Sequence, residues 1–225
     1  MGDTDVLIIG GGPTGLMLAL ELSLQNVSYR IIDSAPQRSD KSRGMVVHSR
    51  TMELLARHGI MDELQGLGYT LKASRIFVNK KFVFEMDIKD LDYGDTQFGA
   101  PLMISQAETE HVLDKALEKY GKKVERPVKA ERVEQDDEGV TAWLCNPDGT
   151  EEKIRCKYIV GCDGAHSVVR KAAGQKFDGG TYPQDFILAD VHLKVSIPSL
   201  YIASLILQYW ASPAGFHSFR FLISG

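Results

Sequence analysis

The sequence has 225 residues, is 44% hydrophobic and 25% charged, and carries a formal net charge of −4. The length supports a real core in one large domain or two small ones, and no basic block points to nucleic acid or an anionic membrane. The three cysteines, Cys145, Cys156 and Cys162, form no C-x-x-C pair and no metal-ligand spacing with the histidines, which leaves no disulfide framework and no metal site and points to reduced thiols in a cytoplasmic protein.

The chain begins with an apolar stretch, residues 6–24. Asp3 and Asp5 stand where a signal peptide needs positive charge, and a glycine cluster splits the run, so it is not read as a leader. Val6 stands where N-myristoylation wants Ser or Thr. Residues 5–10, "DVLIIG", instead make a short buried strand of the parallel-sheet kind. The glycines at 10–15 make a turn, and Leu16, Leu18, Ala19, Leu22 and Leu24 give an apolar helix. "YRIID" at 29–33 is a second strand, completing a βαβ unit.

Residues 34–47 are polar and basic and form a loop. A helix, a turn at Gly59 and a second helix follow, with Ser49 or Thr51 as N-cap. Residues 74–84 predict a hairpin turning near Asn79-Lys80. "SQAETEHVLDKALEKYG" is a helix with Ser105 as N-cap and Gly121 as stop. Alternating strands with turns at Glu138-Gly139 and Asp148-Gly149 then form a meander. "KYIVGCDG" becomes continuously apolar, as in a buried strand, and a short helix follows it. Residues 187–194 are a strand candidate. Between Lys194 and Arg220 there is no Asp, Glu, Lys or Arg. Ser196, Pro198, Ser199, Ser204 and Gln208 interrupt that stretch and argue against a membrane span.

Gly10, Gly12 and Gly15 spell G-x-G-x-x-G between a strand and a helix. The first glycine permits the tight turn, the second admits a pyrophosphate where a Cβ would clash, and the third lets the helix pack close to the sheet. The helix N-terminus offers free N–H groups to phosphate. Asp33 ends the second strand, where its carboxylate can accept both ribose hydroxyls of an adenosine and repel a 2′-phosphate. The loop alone does not separate FAD from NAD, because both present ADP.

Four segments together resemble the group A flavoprotein monooxygenases, of the para-hydroxybenzoate hydroxylase and phenol hydroxylase type. They are "IIGGGPTGLMLALEL", "SRGMVVHSRTMELLARHGIMDEL", "SQAETEHVLDKAL" and "YIVGCDGAHSVVRKAAG", in that order, covering residues 5 to about 174. The fold implied is α/β (α+β): a Rossmann-like FAD-binding domain with a parallel sheet and β-meander (residues 1–73 and 101–180), plus the start of a substrate-domain β-sheet (74–100 and 181–225). The resemblance implies cofactor binding by Gly10, Gly12, Pro13, Thr14, Gly15, Asp33, Ser34, Arg43, Gln106, Asp163, Gly164 and Arg170. Physically, Arg43 is either a phosphate-binding cation or a solvated loop arginine. Gln106 is either a ligand to a ribityl or phosphate oxygen or a plain N-terminal polar residue. Asp163-Gly164 either meets a ribityl hydroxyl or caps a helix. Arg170 either pairs structurally or helps hold that turn and the nicotinamide cofactor.

The activity implied is NADH- or NADPH-dependent hydroxylation of a small, phenol-like aromatic by O2, through a flavin C4a-hydroperoxide. No nucleophile–base pair is present and no catalytic residue is assigned. The family's later G-D-A-A-H-type segment has no counterpart between 174 and 225. The sequence therefore predicts a C-terminally truncated or misspliced chain with an insertion near 195–208; the competing reading is a genuine edge strand of a shortened domain. On the truncated reading the chain is a catalytically silent FAD- or ADP-binding fragment.

Overall fold

The computed structural model describes residues 4–40, 44–78, 81–180, 207–212 and 215–219. In chain order the elements are β1 (Thr4–Ile9), α1 (Pro13–Leu24), β2 (Tyr29–Ile32), β3 (Val46–Val47), α2 (Ser49–Ala56), α3 (Met61–Leu67), β4 (Tyr69–Thr70), β5 (Ala73–Val78), β6 (Lys81–Asp87), β7 (Leu102–Met103), α4 (Gln106–Glu118), β8 (Lys129–Asp136), β9 (Gly139–Cys145), β10 (Glu151–Gly161), α5 (Val168–Ala172), β11 (Leu207–Ser212) and β12 (Gly215–Phe219). They fall into two compact units, residues 1–43 with 106–178 and residues 44–105 with 179–225.

The first unit is built on a five-stranded sheet in the order β2-β1-β10-β9-β8. The predicted βαβ unit is its seed. Leu7, Ile8 and Ile9 are buried in β1, as are Tyr29, Ile31 and Ile32 in β2. The strands run parallel, with Val6 opposite Tyr29 and Ile9 opposite Ile32. Pro13 opens α1, where a missing N–H costs nothing. Asn26, at φ 56°, turns the chain back towards β2. The meander turns where predicted: β8 pairs with β9 across Asp136 and Gly139, and Gly149 stands at φ 80° in the second turn.

β10 does two jobs along one strand. Its first half, Glu151 to Cys156, is antiparallel to β9, and its second half, Cys156 to Gly161, is parallel to β1. The change of character read at residue 157 is this change of partner. The expectation of a buried second half is corrected: Tyr158 is 66% exposed, and Ile159 and Val160 are only partly covered. Apolar composition reports the sheet interior, but burial there depends on what lies over each face. One core layer joins the parallel strands to the meander, with Leu7, Ile9 and Ile32 against Val128, Ala142, Leu144 and Ile154.

Arg30 ties the unit together across the sequence. It forks onto Glu125 at 2.7 Å and Glu152 at 2.6 Å, with side-chain exposures of 26% for Arg30, 35% for Glu125 and 19% for Glu152. The Arg30 hydrogen bond holds the Glu152 carboxyl below its ordinary value of 4.5. A carboxyl depressed on folding adds stability that is present above its unfolded value and lost as pH falls through its folded value. Arg30→Met is therefore expected to cost about 1–2 kcal/mol at pH 7, between an exposed pair and a buried one. Thermal melts should show that gap closing below about pH 4.5; a gap independent of pH would contradict the ion-pair account.

The second unit carries a four-stranded sheet, β12-β11-β5-β6, and a three-stranded one, β3-β7-β4. The predicted hairpin is β5 and β6, with Val78 opposite Lys81; its turn residues, Asn79 and Lys80, lie outside the described residues. The strand candidate at 187–194 lies outside them too. Leu207 and Gln208 open β11, which runs parallel to β5 and antiparallel to β12. The capping expectation at the first helix is corrected: His48 holds the N-cap position of α2, and Ser49 is its first helical residue. The Ser49 hydroxyl donates to the Phe98 carbonyl at 2.7 Å. No helix among the described residues is long and apolar enough to cross a membrane.

Candidate cofactor-binding site

The site grows from the end of β1. Gly10 donates its N–H to Ile32 at 2.8 Å, and the Cys162 N–H donates to Ile9 at 2.6 Å, so the ends of β1, β2 and β10 meet at one point. Gly10 has φ +110°, and a Cβ there would collide with the Cys162 carbonyl. A Cβ on Gly15 would collide with the Gly10 carbonyl, so α1 descends directly onto the turn. Gly12 is different. It sits at φ −82°, ψ −174° at the N-cap of α1, and a Cβ there meets nothing within 4 Å. Among the described residues no packing contact requires a glycine at that position.

Above the turn lies a cleft of about 880 Å³ within the first unit, lined by Gly10, Gly12, Pro13, Thr14, Asp33, Ser34, Gln106, Asp163 and Gly164. That is the size and polarity of a cofactor site. The end of β1, the end of β2, the start of α4 and the turn after β10 thus place nine of the sequence-predicted residues around one space. Gly15 packs beneath the turn. Arg43 lies outside the described residues.

Asp33 is held more tightly than its sequence position shows. Its Oδ2 accepts the Gly11 N–H at 2.6 Å, its Oδ1 accepts the Ala35 N–H at 2.7 Å, and Oδ1 forms an ion pair with Arg126 Nη1 at 3.0 Å. A carboxylate offers about four acceptor sites. Two are filled by backbone N–H groups, which leaves acceptor capacity on the carboxylate for ribose hydroxyls.

Asp163 accepts the Val168 N–H at 2.7 Å through Oδ2, capping the turn into α5. Its Oδ1 is buried and carries no hydrogen bond among the described residues. A Cβ on Gly161 would come within 3.1 Å of this oxygen, so it packs against the end of β10. Gly164 stands at φ +73°, where only glycine is free of strain. Arg170 does not line the cleft: its Nη1 donates to the Ala165 carbonyl at 2.8 Å, and its guanidinium lies 4.9 Å from the Phe177 ring. That places it as a brace of the Asp163-Gly164 turn. Burial pushes the Cys162 thiol up, with the neighbouring Asp163 charge adding to the effect, so this cleft residue is not an activated nucleophile.

Among the cleft residues that escaped the sequence reading are Glu110 and Arg126. Glu110 is 5% exposed and accepts the Gln106 side-chain amide at 2.7 Å. Its i,i+4 spacing from Gln106 is the signal that would have found it. Arg126 has no local signal: it precedes Pro127 outside any motif and reaches Asp33 only through the tertiary fold.

The open Gly12 backbone at a helix N-terminus and the Asp33 carboxylate in the same cleft fit a group with a pyrophosphate and hydroxyls. Comparison with known proteins agrees. A family model described as FAD binding domain matches residues 3–222. The chain is 33% identical over 194 residues to the 12-dehydrotetracycline 5-monooxygenase/anhydrotetracycline 6-monooxygenase of Streptomyces rimosus, covering 86% of this chain and 37% of that protein. It is 32% identical over 192 residues to the pentachlorophenol 4-monooxygenase of Sphingobium chlorophenolicum, covering 82% of this chain and 34% of that one. The crystal structure of p-nitrophenol 4-monooxygenase PnpA from Pseudomonas putida superposes with a TM-score of 0.75 at 28% identity, covering 80% of this chain and 46% of that one. The chain belongs to the FAD binding domain family, the family of the FAD-dependent aromatic monooxygenases.

Proposed function

We propose that the first unit binds FAD in this cleft and that the protein is an NADH- or NADPH-dependent monooxygenase that hydroxylates a small, phenol-like aromatic substrate. The observation that carries the reading is the open backbone of Gly12 at the N-terminus of α1, set in one cleft with Asp33, Gln106 and Asp163. The N-terminus of α1 and the Gly12 backbone hold the pyrophosphate. Asp33 takes a ribose hydroxyl, with Ser34 beside it. Asp163, Gly164 and Gln106 face the ribityl side, Arg43 adds a cation for phosphate, and Arg170 braces the Asp163-Gly164 turn. The chemistry supplied by bound FAD is two-electron transfer from NADH or NADPH to O2, with one oxygen atom going to the ring and the other to water. The three cysteines are free, which supports a reducing, cytoplasmic setting.

A second reading, an FAD- or ADP-binding protein without hydroxylase activity, is favoured by the span of the match. The chain covers 37% and 34% of the two relatives, and the described cleft accounts for cofactor contacts alone. One experiment separates the readings. The purified protein is scanned for flavin absorbance, and NADH and NADPH oxidation is then followed with and without simple phenols. Bound flavin with oxidation stimulated by a phenol supports the monooxygenase. Bound flavin without stimulated turnover supports the second reading. A protein that neither retains nor takes up FAD overturns both.

A further inference from the structure

The segment containing Arg126 is fastened along the end of β2. The Asp33 N–H donates to Glu125 at 3.0 Å, the Glu125 N–H to Ile31 at 2.9 Å, and the Val128 N–H to Asp33 at 2.9 Å. This seating carries the Arg126 side chain under the glycine turn. There Nη1 lies 3.0 Å from Asp33 Oδ1, and Nη2 donates to the Gly11 carbonyl at 2.9 Å. The two side chains are 14% and 18% exposed, so the pair is largely withdrawn from water. A Cβ on Gly11 would come within 2.5 Å of Nη2 and 2.8 Å of Val124 Cγ1. The middle glycine of the triplet is therefore bare because the guanidinium occupies that space.

We propose that Arg126 is a positioning residue for adenosine-ribose recognition, locking the Asp33 carboxylate and the Gly11 backbone into one unit that presents the carboxylate to a ribose hydroxyl. The inference rests on the FAD reading of the cleft. A carboxylate rotates over a broad, two-fold torsional well. The Gly11 and Ala35 N–H groups hold its two oxygens from the backbone. Arg126 adds the only charged partner that Asp33 has among the described residues, and it grips the loop at the same time. Its planar fork reaches both acceptors at once, which a lysine does not. Removing it leaves a largely withdrawn carboxylate without its counter-charge and frees Gly11 to shift.

The test uses ADP, 2′-deoxy-ADP and 3′-deoxy-ADP as calorimetric probes of the full chain, compared among wild type, Arg126→Gln, Arg126→Lys and Asp33→Asn. Wild type is expected to bind one of the deoxy probes about ten-fold more weakly than ADP, the worth of one hydrogen bond to a charged group. In Arg126→Gln that ratio should fall to within about two-fold of unity, as in Asp33→Asn, and Arg126→Lys should lie between. If Arg126 only packs, or meets the phosphates directly, Arg126→Gln weakens all three probes equally and keeps the wild-type ratio, which overturns the proposal. Thermal melts confirm folding; if Arg126→Gln does not fold, Arg126→Lys carries the comparison, and an unchanged ratio there overturns it as well. A wild-type chain that binds ADP without preferring either hydroxyl overturns the proposal and leaves FAD binding standing. A wild-type chain that binds no ADP overturns the FAD reading itself.

Discussion

Gly12→Val is expected to abolish FAD uptake while leaving the fold intact. Gly12 lies in ordinary extended backbone at φ −82°, ψ −174°, and a Cβ there meets nothing within 4 Å. Valine adopts that conformation without strain. It makes a poor N-cap, but Gly12 contributes no side-chain cap to lose, so the cost to stability stays at or below about 1 kcal/mol. Binding is another matter. A branched side chain at the N-terminus of α1 fills the space a pyrophosphate must enter to reach the free N–H groups. Losing two charge-assisted hydrogen bonds lowers affinity by about a hundred-fold or more. Fluorescence titration with FAD and a thermal melt on the same sample check both halves. Wild-type affinity in Gly12→Val would mean that the pyrophosphate does not sit on this turn.

The parts of the fold legible in the sequence are those encoded over short distances. The βαβ unit, the meander and its turns follow from strand periodicity and from turn pairs such as Asp148-Gly149. The crowd of residues around the cleft was also legible, because each sits at the end of a strand or the start of a helix. What the sequence hid is tertiary. Arg30 meets carboxylates 95 and 122 residues away, and Arg126 reaches back to the first turn at Gly11. Charged residues in strands look like solvated faces until the fold pairs them. Asp33 shows the same limit: its motif position is visible in the chain, but the two backbone N–H groups and the Arg126 guanidinium that hold it are not. Arg170 shows the converse. Its motif position sits beside the cleft, but its side chain turns to the Ala165 carbonyl. Exposure of Tyr158 on an apolar strand was hidden because periodicity reports a strand and not what covers it.

Gly10→Ala is expected to do the reverse of Gly12→Val and bring down the first unit. Gly10 has φ +110°, a conformation that costs an L-residue roughly 1–2 kcal/mol or more. The added methyl collides with the Cys162 carbonyl and lies 2.8 Å from the Asp163 nitrogen, both backbone atoms with no rotamer to yield. Relief requires the end of β10 to move away from β1, breaking the hydrogen bond from Cys162 to Ile9. Overpacking of this kind adds about 1–3 kcal/mol, and the sum is a large part of a typical stability of about 5–15 kcal/mol. The thermal midpoint should fall by about 10 °C. FAD binding should fall with it, because the displaced segment carries Asp163. Gly15→Ala should behave alike, since its methyl meets the Gly10 carbonyl. A Gly10→Ala chain that melts within about 2 °C of wild type and still binds FAD would refute the packing of β1 against β10. The three glycines of the motif thus divide by physical cause: Gly10 and Gly15 are required by the chain's own backbone, and Gly12, on the proposed reading, by the ligand.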